Sequence, residues 1–399
     1  MHDATHLPQT LCWNDDGAEH SARWQSESAV PPPRHVVVAD DRITADAAYR
    51  LACEGTALLW RGDFQNARQL LQAMARRLER KPRKQAATPV DAFNLHRQAQ
   101  AQRARTLGML LIPFDADYRI PLRRAPAVQD ACAEAYGPAQ AAENGPFVAS
   151  LRELLGLIGA HEWRKKGVAV AALGDRIHPH YGVFAPIRGE YVDLVAQAPL
   201  PAAMAVDSRA FDIGTGTGVL AAVLARRGIA RIVATDQDAR ALACARDNLD
   251  RLGLSAQVAV EQADLFPAGQ APLIVCNPPW VPARPSSPLE YAVFDPDSRM
   301  LRGFLGGLAA HLAAQGEGWL ILSDLAEHLG LRSRAELLAL IDAAGLQVLG
   351  RIDTRPTHPR TSDESDPLHA ARAAEVTSLW RLGIGAQRKE SLEDSPEES

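Results

Sequence analysis

Cysteine is scarce and scattered in this sequence of 399 residues. The five cysteines are an odd number, and no two of them have the Cys-x-x-Cys spacing. A disulfide framework needs paired cysteines, and a structural zinc site needs closely spaced ligands. The sequence therefore supports neither of these, and we expect no metal site.

Long hydrophobic runs are also missing. No apolar run approaches the roughly 18 residues that a membrane-spanning helix needs, although 47% of the residues are hydrophobic. The first residues, MHDATHLPQTLCWNDDGAEH, are polar and acidic and lack the apolar core of a secretory signal. We therefore expect a cytoplasmic protein that does not bind a membrane.

The net charge of −5 hides an uneven distribution. Residues 61–124 carry 14 Lys and Arg against 5 Asp and Glu, and the densest part is RRLERKPRK. Such a segment can attract nucleic-acid phosphates, or it can be an exposed helix face and linker. Residues 385–399 are acidic, lack aromatic side chains and are expected to form a disordered tail.

The region before residue 166 has one kind of pattern, in which helical spacing dominates. Residues 1–43, which include VPPPR, show no periodicity and are predicted to be irregular. Residues 44–165 carry apolar side chains at mostly helical spacing, with Thr44 and Asp63 at helix N-cap positions. They predict a helical domain.

The spacing of apolar residues along the sequence changes after Gly167. A β-hairpin is predicted around Gly174-Asp175, and strands then alternate with helices through residue 384. This alternation predicts an α/β domain over residues 166–384, with a mostly parallel sheet and helices on both faces. Ligands of such sheets bind at the carboxyl ends of the strands, where the strand order reverses.

A glycine-rich loop follows the first predicted strand of this sheet. In AFDIGTGTGVL, Asp212 is followed by Gly214, Gly216 and Gly218, and a helix begins at once. Glycines at such a turn let the backbone lie against a ligand. Val219 stands where a dinucleotide fingerprint has its last glycine. The loop therefore favours a ligand without a pyrophosphate, and Asp212 can attract a cationic amino group.

Acidic residues end the next two predicted strands. Asp236 lies 22 positions after Gly214, where an acid can accept hydrogen bonds from both hydroxyls of a ribose. Asp264 follows the third strand and can accept from an exocyclic amino group, while Leu265 can pack on a base. Each acid alone can be a helix cap, but their order after successive strands indicates one binding site.

This arrangement resembles the class I S-adenosylmethionine-dependent methyltransferases over roughly residues 167–382. The resemblance implies a Rossmann-like, seven-stranded, mostly parallel sheet and S-adenosyl-L-methionine as cofactor. It further implies which residues hold each part of that cofactor. The methionine part would lie on Asp212, Gly214, Thr215, Gly216 and Gly218, the ribose on Asp236, and the adenine on Asp264 and Leu265, with Asn277 adjoining.

The stretch IVCNPPW ends the fourth predicted strand, because proline cannot donate to a β-ladder. Asn277, Pro278, Pro279 and Trp280 resemble the Asn-Pro-Pro-Tyr-type motif of methyltransferases that act on nitrogens conjugated to a π-system. In that reading Asn277 Oδ1 and the Pro278 carbonyl accept from the target N–H groups. The prolines stiffen the loop, and Trp280 stacks on the target plane.

Three functions stay open at this point. The first is methylation of a protein glutamine amide, because YGVFAPIRGEYVDLV resembles the corresponding segment of the release-factor glutamine methyltransferases. A translation factor or ribosomal protein would then be the partner, residues 44–165 would recognise it, and Glu190 would contact it. Arg355, His358 and Arg360 lie in a polar insertion that can also hold substrate.

The second function is methylation of an exocyclic amine of rRNA, tRNA or DNA, which the basic segment supports. The third is a non-catalytic scaffold that only binds the cofactor, and the presence of both Asn277 and Asp212 argues against it. No residue pattern specifies an oligomeric state.

Overall fold

The computed structural model describes residues 9–79, 86–139, 145–285, 290, 292–356 and 363–385. These residues form two units. The first covers the described residues up to Glu162 apart from Ala87–Phe93, and the second covers Ala87–Phe93 and the described residues from Trp163 onward. Within the described ranges no helix is long and apolar enough to cross a membrane.

The first unit is built on a six-stranded mixed sheet with the strand order β1-β2-β6-β5-β4-β3. Pairs β3/β4, β4/β5 and β2/β6 are parallel, whereas β1/β2 and β5/β6 are antiparallel. The elements up to residue 166 are β1 (Thr10–Asp15), β2 (Ala18–Trp24), β3 (His35–Ala39), α1 (Ala45–Cys53), β4 (Thr56–Trp60), α2 (Phe64–Glu79), α3 (Pro89–Leu107), β5 (Leu110–Phe114), α4 (Gln129–Tyr136), β6 (Phe147–Ser150) and α5 (Leu151–Lys166). The first residues of α3 and the last residues of α5 are counted with the second unit.

This sheet corrects two predictions. Residues 1–43 are not irregular in their described part, because β1 and β2 form a hairpin across Asp16 and Gly17. These two residues have φ of 47° and 82°, as a two-residue type I′ turn requires. The signal for that turn, Asp-Gly between two strands, is present in the sequence.

Residues 44–165 are not a helical domain, because strands β4, β5 and β6 run through them. Nearly every residue of these strands is buried. A short strand that is buried on both faces has no alternation of polar and apolar residues, so its periodicity cannot distinguish it from a helix. The predicted helix caps are confirmed. Thr44 Oγ1 accepts from Ala47 N at 3.2 Å, and Asp63 Oδ1 accepts from Gln65 N at 2.8 Å.

The second unit alternates strands and helices as predicted. Its elements are β7 (Val168–Val170), β8 (Asp175–Ile177), α6 (Glu190–Gln197), β9 (Arg209–Ile213), α7 (Val219–Arg226), β10 (Arg231–Asp236), α8 (Ala239–Arg251), β11 (Val258–Gln262), β12 (Ala271–Cys276), α9 (Arg299–His311), β13 (Leu312–Ser323), α10 (Leu325–His328), α11 (Arg334–Ala343), β14 (Leu346–Thr354), α12 (His369–Ala374) and β15 (Thr377–Ile384).

Seven of these strands form one sheet with the order β11-β10-β9-β12-β13-β15-β14. Strands β9 to β13 are parallel to one another, and β15 is antiparallel to both of its neighbours. The predicted mostly parallel sheet is therefore confirmed, and so is the hairpin, in which β7 pairs with β8. The chain order reverses between β9 and β12. Such a reversal is where open α/β sheets bind their ligands.

Helices cover both faces of this sheet and bury two apolar clusters. One cluster contains α6, α7 and α8 side chains, and the other contains those of α9 and α11. Trp280 packs against both clusters. The carboxyl ends of β9, β10, β11 and β12 meet at one edge, since these strands are parallel.

Candidate active site

The glycine loop connects β9 to α7 with a left-handed backbone at three positions. Gly214, Gly216 and Gly218 have φ of 71°, 54° and 80°, a region that glycine adopts without strain. A Cβ at Gly214 would collide with Met300, and one at Gly218 would lie 3.2 Å from Ala245 Cα. A Cβ at Gly216 would meet no atom of the described residues within 4 Å. Gly216 therefore borders open space, where a ligand can approach the backbone.

Asp212 lies inside this loop and is only 1% exposed. Its Oδ2 accepts hydrogen bonds from Thr215 Oγ1 at 2.6 Å and from Ala221 N at 3.1 Å. Burial raises the pKa of this carboxyl to about 6, and the negative charge of Asp236 adds to the effect. Asp212 thus fastens the loop to the first turn of α7. Its direct contact with a ligand stays a prediction.

Asp236 is the last residue of β10 and lies beside the glycine loop. Its Oδ2 accepts from Gly216 N at 3.1 Å, and its Oδ1 accepts from Asp238 N at 3.0 Å. Desolvation raises the pKa of the Asp236 carboxyl. Each carboxylate oxygen can accept a second hydrogen bond. The carboxylate therefore has acceptor capacity left for a hydroxyl of a ligand.

Asp264 and Leu265 follow β11 and adjoin the first turns of α9. Asp264 is exposed and forms an ion pair with Arg299 at 2.9 Å. Leu265 has a φ of 78°, which is strained for a residue with a bulky side chain, and such strain clusters at functional sites. A Cβ at Gly303 would collide with Leu265. The sequence did not indicate that Arg299 would pair with Asp264 or that Gly303 would make room for Leu265, since both contacts depend on how α9 packs.

The Asn-Pro-Pro-Trp motif begins directly after β12, whose last residue, Cys276, pairs with Ile213 of β9. The motif and the glycine loop therefore leave neighbouring strands at the same edge. Trp280 Nε1 donates to Asn277 Oδ1 at 2.8 Å. Pro278 is buried, while Asn277, Pro279 and Trp280 are half-buried. Because an indole N–H can only donate, it fixes the Asn277 amide with Oδ1 towards Trp280.

Arg188 completes the surroundings of Trp280, and the sequence did not point to it. Its guanidinium lies over the Trp280 ring, 4.9 Å from the centroid. Arg188 Nε bonds Glu190 Oε1 at 2.6 Å and Nη1 bonds Glu375 Oε1 at 3.0 Å. Glu190, predicted to contact substrate, thus has a buried side chain that binds Arg188.

Other predicted residues do not join this cluster. Arg355 is exposed just after β14, and His358 and Arg360 lie outside the described residues. The two histidines after β8 also bond elsewhere: His178 Nδ1 lies 2.7 Å from Arg164 O, and His180 Nε2 lies 3.1 Å from Asp247 Oδ2.

The chain is also similar in sequence to known proteins. Residues 176–322 match the family model described as "Methyltransferase small domain". The resemblance to S-adenosylmethionine-dependent methyltransferases, predicted from the glycine loop and the Asn-Pro-Pro-Trp motif, is thereby confirmed.

Two curated relatives show how far the sequence similarity extends. A release factor glutamine methyltransferase of Caulobacter vibrioides is 32% identical over 157 residues, which are 37% of this chain and 54% of the relative. A ribosomal protein L11 methyltransferase of Symbiobacterium thermophilum is 41% identical over 70 residues, which are 18% of this chain and 23% of the relative. The chain thus spans about half the length of the first relative and about a quarter of the second.

Among solved structures, a ribosomal protein L11 methylase from Lactobacillus delbrueckii subsp. bulgaricus aligns over 53% of this chain and 86% of its own, with 16% identity and a TM-score of 0.36. The fold of the second unit is described by its own strand order.

Proposed function

We propose that this chain is an S-adenosylmethionine-dependent N-methyltransferase whose target is the side-chain amide of a protein glutamine. The observation that carries the proposal is the position of the Asn277–Trp280 motif, which leaves β12 beside the glycine loop at the reversal of strand order. A motif of acceptors and prolines placed there faces both a cofactor and a target.

The residues at this edge fit S-adenosylmethionine. Gly216 borders open space, and Asp236 beside it keeps acceptor capacity for the ribose hydroxyls. Asp212 stabilises the glycine loop through its hydrogen bonds to Thr215 and Ala221. Gly214, Thr215 and Gly218 form the turn. Leu265 would pack on the adenine, and Asp264 would accept from its amino group with the acceptor capacity that the ion pair leaves. When bound, the cofactor would supply a methyl group on a cationic sulfur.

Asn277 and Pro278 would prepare the target nitrogen. The lone pair of an amide nitrogen is delocalised, so the nitrogen must pyramidalise before it can attack a methyl carbon. Acceptors on both of its N–H bonds, Asn277 Oδ1 and the Pro278 carbonyl, would hold it in that pose. The nitrogen would take up the methyl group as the C–S bond breaks with its electron pair left on sulfur, and the nitrogen would then lose a proton to water. Orienting the reactants in this way can remove roughly 7–11 kcal/mol of the barrier.

We propose glutamine rather than a nucleobase as the target because several curated relatives are named as glutamine methyltransferases. The name of the Caulobacter vibrioides relative specifies release-factor glutamine as its target. We extend this to the present chain and propose a cytoplasmic translation factor or ribosomal protein as partner. Recognition of that partner by the first unit is part of the proposal.

Methylation of a nucleic-acid amine is the second candidate. The excess of Lys and Arg over residues 61–124 favours it. Two of these residues, Arg123 and Arg124, have side chains that are 76% and 58% exposed, and both pair with the Asp63 carboxylate.

Transfer of tritiated methyl groups from S-adenosylmethionine tests both candidates. The full chain is incubated with extract of cells that lack its gene, and the product is treated with nuclease or with protease. We expect the label to survive nuclease and to be released by protease as methylated glutamine. Label destroyed by nuclease would favour the second candidate, and no labelling at all would refute both.

A further inference from the structure

We infer that Trp280 is a positioning residue for Asn277, and that Arg188 holds Trp280 in place for this task. The inference rests on the proposed function, since Asn277 is there the acceptor for the target amide. In this role Trp280 differs from the stacking surface that the sequence predicts.

The contact between Trp280 and Asn277 determines which amide atom faces the target. The indole Nε1–H donates to Oδ1 at 2.8 Å. An amide rotated by half a turn would present its NH₂ group to the indole N–H, and two donors would then oppose each other. The flipped orientation is thereby excluded. Oδ1 has two lone pairs, so one is available for the target N–H while the indole occupies the other.

The Trp280 ring is itself held on two sides. The Arg188 guanidinium lies 4.9 Å from its centroid, a favourable cation–π arrangement. The Tyr191 ring packs against it in a T-shaped arrangement, with the ring centroids 6.5 Å apart and an interplanar angle of 85°. With one face covered by Arg188, this face is not open for a flat target.

Arg188 cannot easily leave that face, because three side chains hold it. Its Nε and Nη1 bond Glu190 and Glu375, and its Nη2 bonds Thr377 Oγ1 at 3.4 Å. The Glu190 and Glu375 side chains are 8% and 3% exposed. Glu375 is anchored in turn by Ser323 Oγ at 2.6 Å. Removing the guanidinium would leave two buried carboxylates without their cation, which is unfavourable.

The first test observes the hydrogen bond directly and needs no substrate. The full chain, labelled with ¹⁵N-tryptophan, should give an indole N–H signal for each of its seven tryptophans. Trp280→Phe identifies the Trp280 signal by its loss. We expect Asn277→Ala to move that signal upfield, and Asn277→Asp, which keeps an oxygen acceptor, to leave it downfield. An indole signal that does not respond to Asn277→Ala overturns the inference.

The second test separates positioning from stacking. Trp280→Phe keeps an aromatic ring but loses the N–H donor. We expect the rate of tritium transfer at saturating cofactor to fall on the order of 10- to 100-fold, because a small misplacement of a reacting group has that effect. The KM for S-adenosylmethionine should stay within about twofold. The double variant Trp280→Phe/Asn277→Ala should be no slower than Asn277→Ala alone. Both residues act through the same Asn277 acceptor, so their effects on the rate should not add.

Arg188→Lys provides a second variant in case Trp280→Phe folds poorly. Lysine keeps the charge but cannot cover the ring while bonding three partners. We expect the indole signal of Trp280 to broaden or shift and transfer to slow. If both variants transfer methyl groups at the wild-type rate, Trp280 does not position Asn277 for the reaction. If the wild-type protein transfers no methyl group, the proposed function fails, and the response of the indole signal to Asn277→Ala still decides whether Trp280 holds Asn277.

Discussion

Asp236 Oδ2 accepts a hydrogen bond from the backbone N–H of Gly216 at 3.1 Å. The carboxylate at the end of β10 is thereby bonded to the one loop glycine at which an added Cβ would point into open space. This bond joins two parts of the predicted cofactor site, the ribose acceptor and the loop. Changes at either residue are therefore expected to affect cofactor binding more than folding.

Replacing Asp236 by alanine should weaken S-adenosylmethionine binding. The loss removes an acceptor for the ribose hydroxyls and a bond that shapes the loop, and hydrogen bonds to charged groups contribute about 1.5–3 kcal/mol each. We expect the Kd to rise at least about tenfold by calorimetry. Asp342→Ala, at an exposed position of α11, is the matched control and should bind as the wild type does. Equal affinity of the two variants would contradict the assignment.

Alanine substitutions at two loop glycines should affect protein stability and cofactor affinity to different extents. Gly218→Ala places a Cβ 3.2 Å from Ala245 Cα at a φ of 80°, and we expect the free energy of unfolding to fall by about 1–3 kcal/mol. Gly216→Ala adds a Cβ in open space at a φ of 54°, so its larger effect should be on cofactor affinity. Urea unfolding and calorimetry of both variants measure the two effects. The opposite ranking would show that the open space beside Gly216 is not the cofactor site.

Asp212 should give the chain a measurable dependence of stability on pH. Its folded pKa of about 6 lies above the ordinary value of 3.8, so the folded state binds this proton more tightly than the unfolded state does. The resulting stabilisation is fully present below the unfolded pKa and is lost as the pH rises through about 6.

Asp212→Asn lacks this titration and can keep both hydrogen bonds. Between pH 8 and pH 5, the wild type should therefore gain about 1 kcal/mol of unfolding free energy relative to Asp212→Asn. Urea titrations of both proteins at the two pH values measure the difference. Parallel pH profiles would mean that the Asp212 carboxyl titrates with an ordinary pKa.

Asn277→Ala should separate cofactor binding from methyl transfer. The variant keeps the glycine loop and Asp236 but loses the acceptor for the target amide. We expect the Kd for S-adenosylmethionine to stay within a few-fold, while tritium transfer into cell extract falls at least about 100-fold. Turnover that survives this change would remove Asn277 from the reaction.

The alternation of strands and helices in the second unit could be predicted from the sequence. Strands such as Arg209–Ile213 lie where that alternation is predicted, because each carries a clear apolar run that ends at glycine, acid or proline. The site residues at their ends, Asp236 and Asn277, follow from the same pattern. A parallel sheet brings the carboxyl ends of its strands together whatever the intervening sequence.

Two features could not be predicted. The strands of the first unit, such as Leu110–Phe114, are short and fully buried, so they carry no periodicity of their own. Arg188 and Glu375 are 187 positions apart, and no local pattern connects two residues that only the sheet brings together. The hydrogen bond from Trp280 to Asn277 likewise depends on rotamers that packing selects.

Calorimetric titration of the intact chain with S-adenosylmethionine tests the central claim most directly. We predict saturable binding at one site, strongly weakened in Asp236→Ala and preserved in Asn277→Ala. Absence of binding by the intact, folded protein would contradict the account of the cofactor site and with it the proposed methyl transfer.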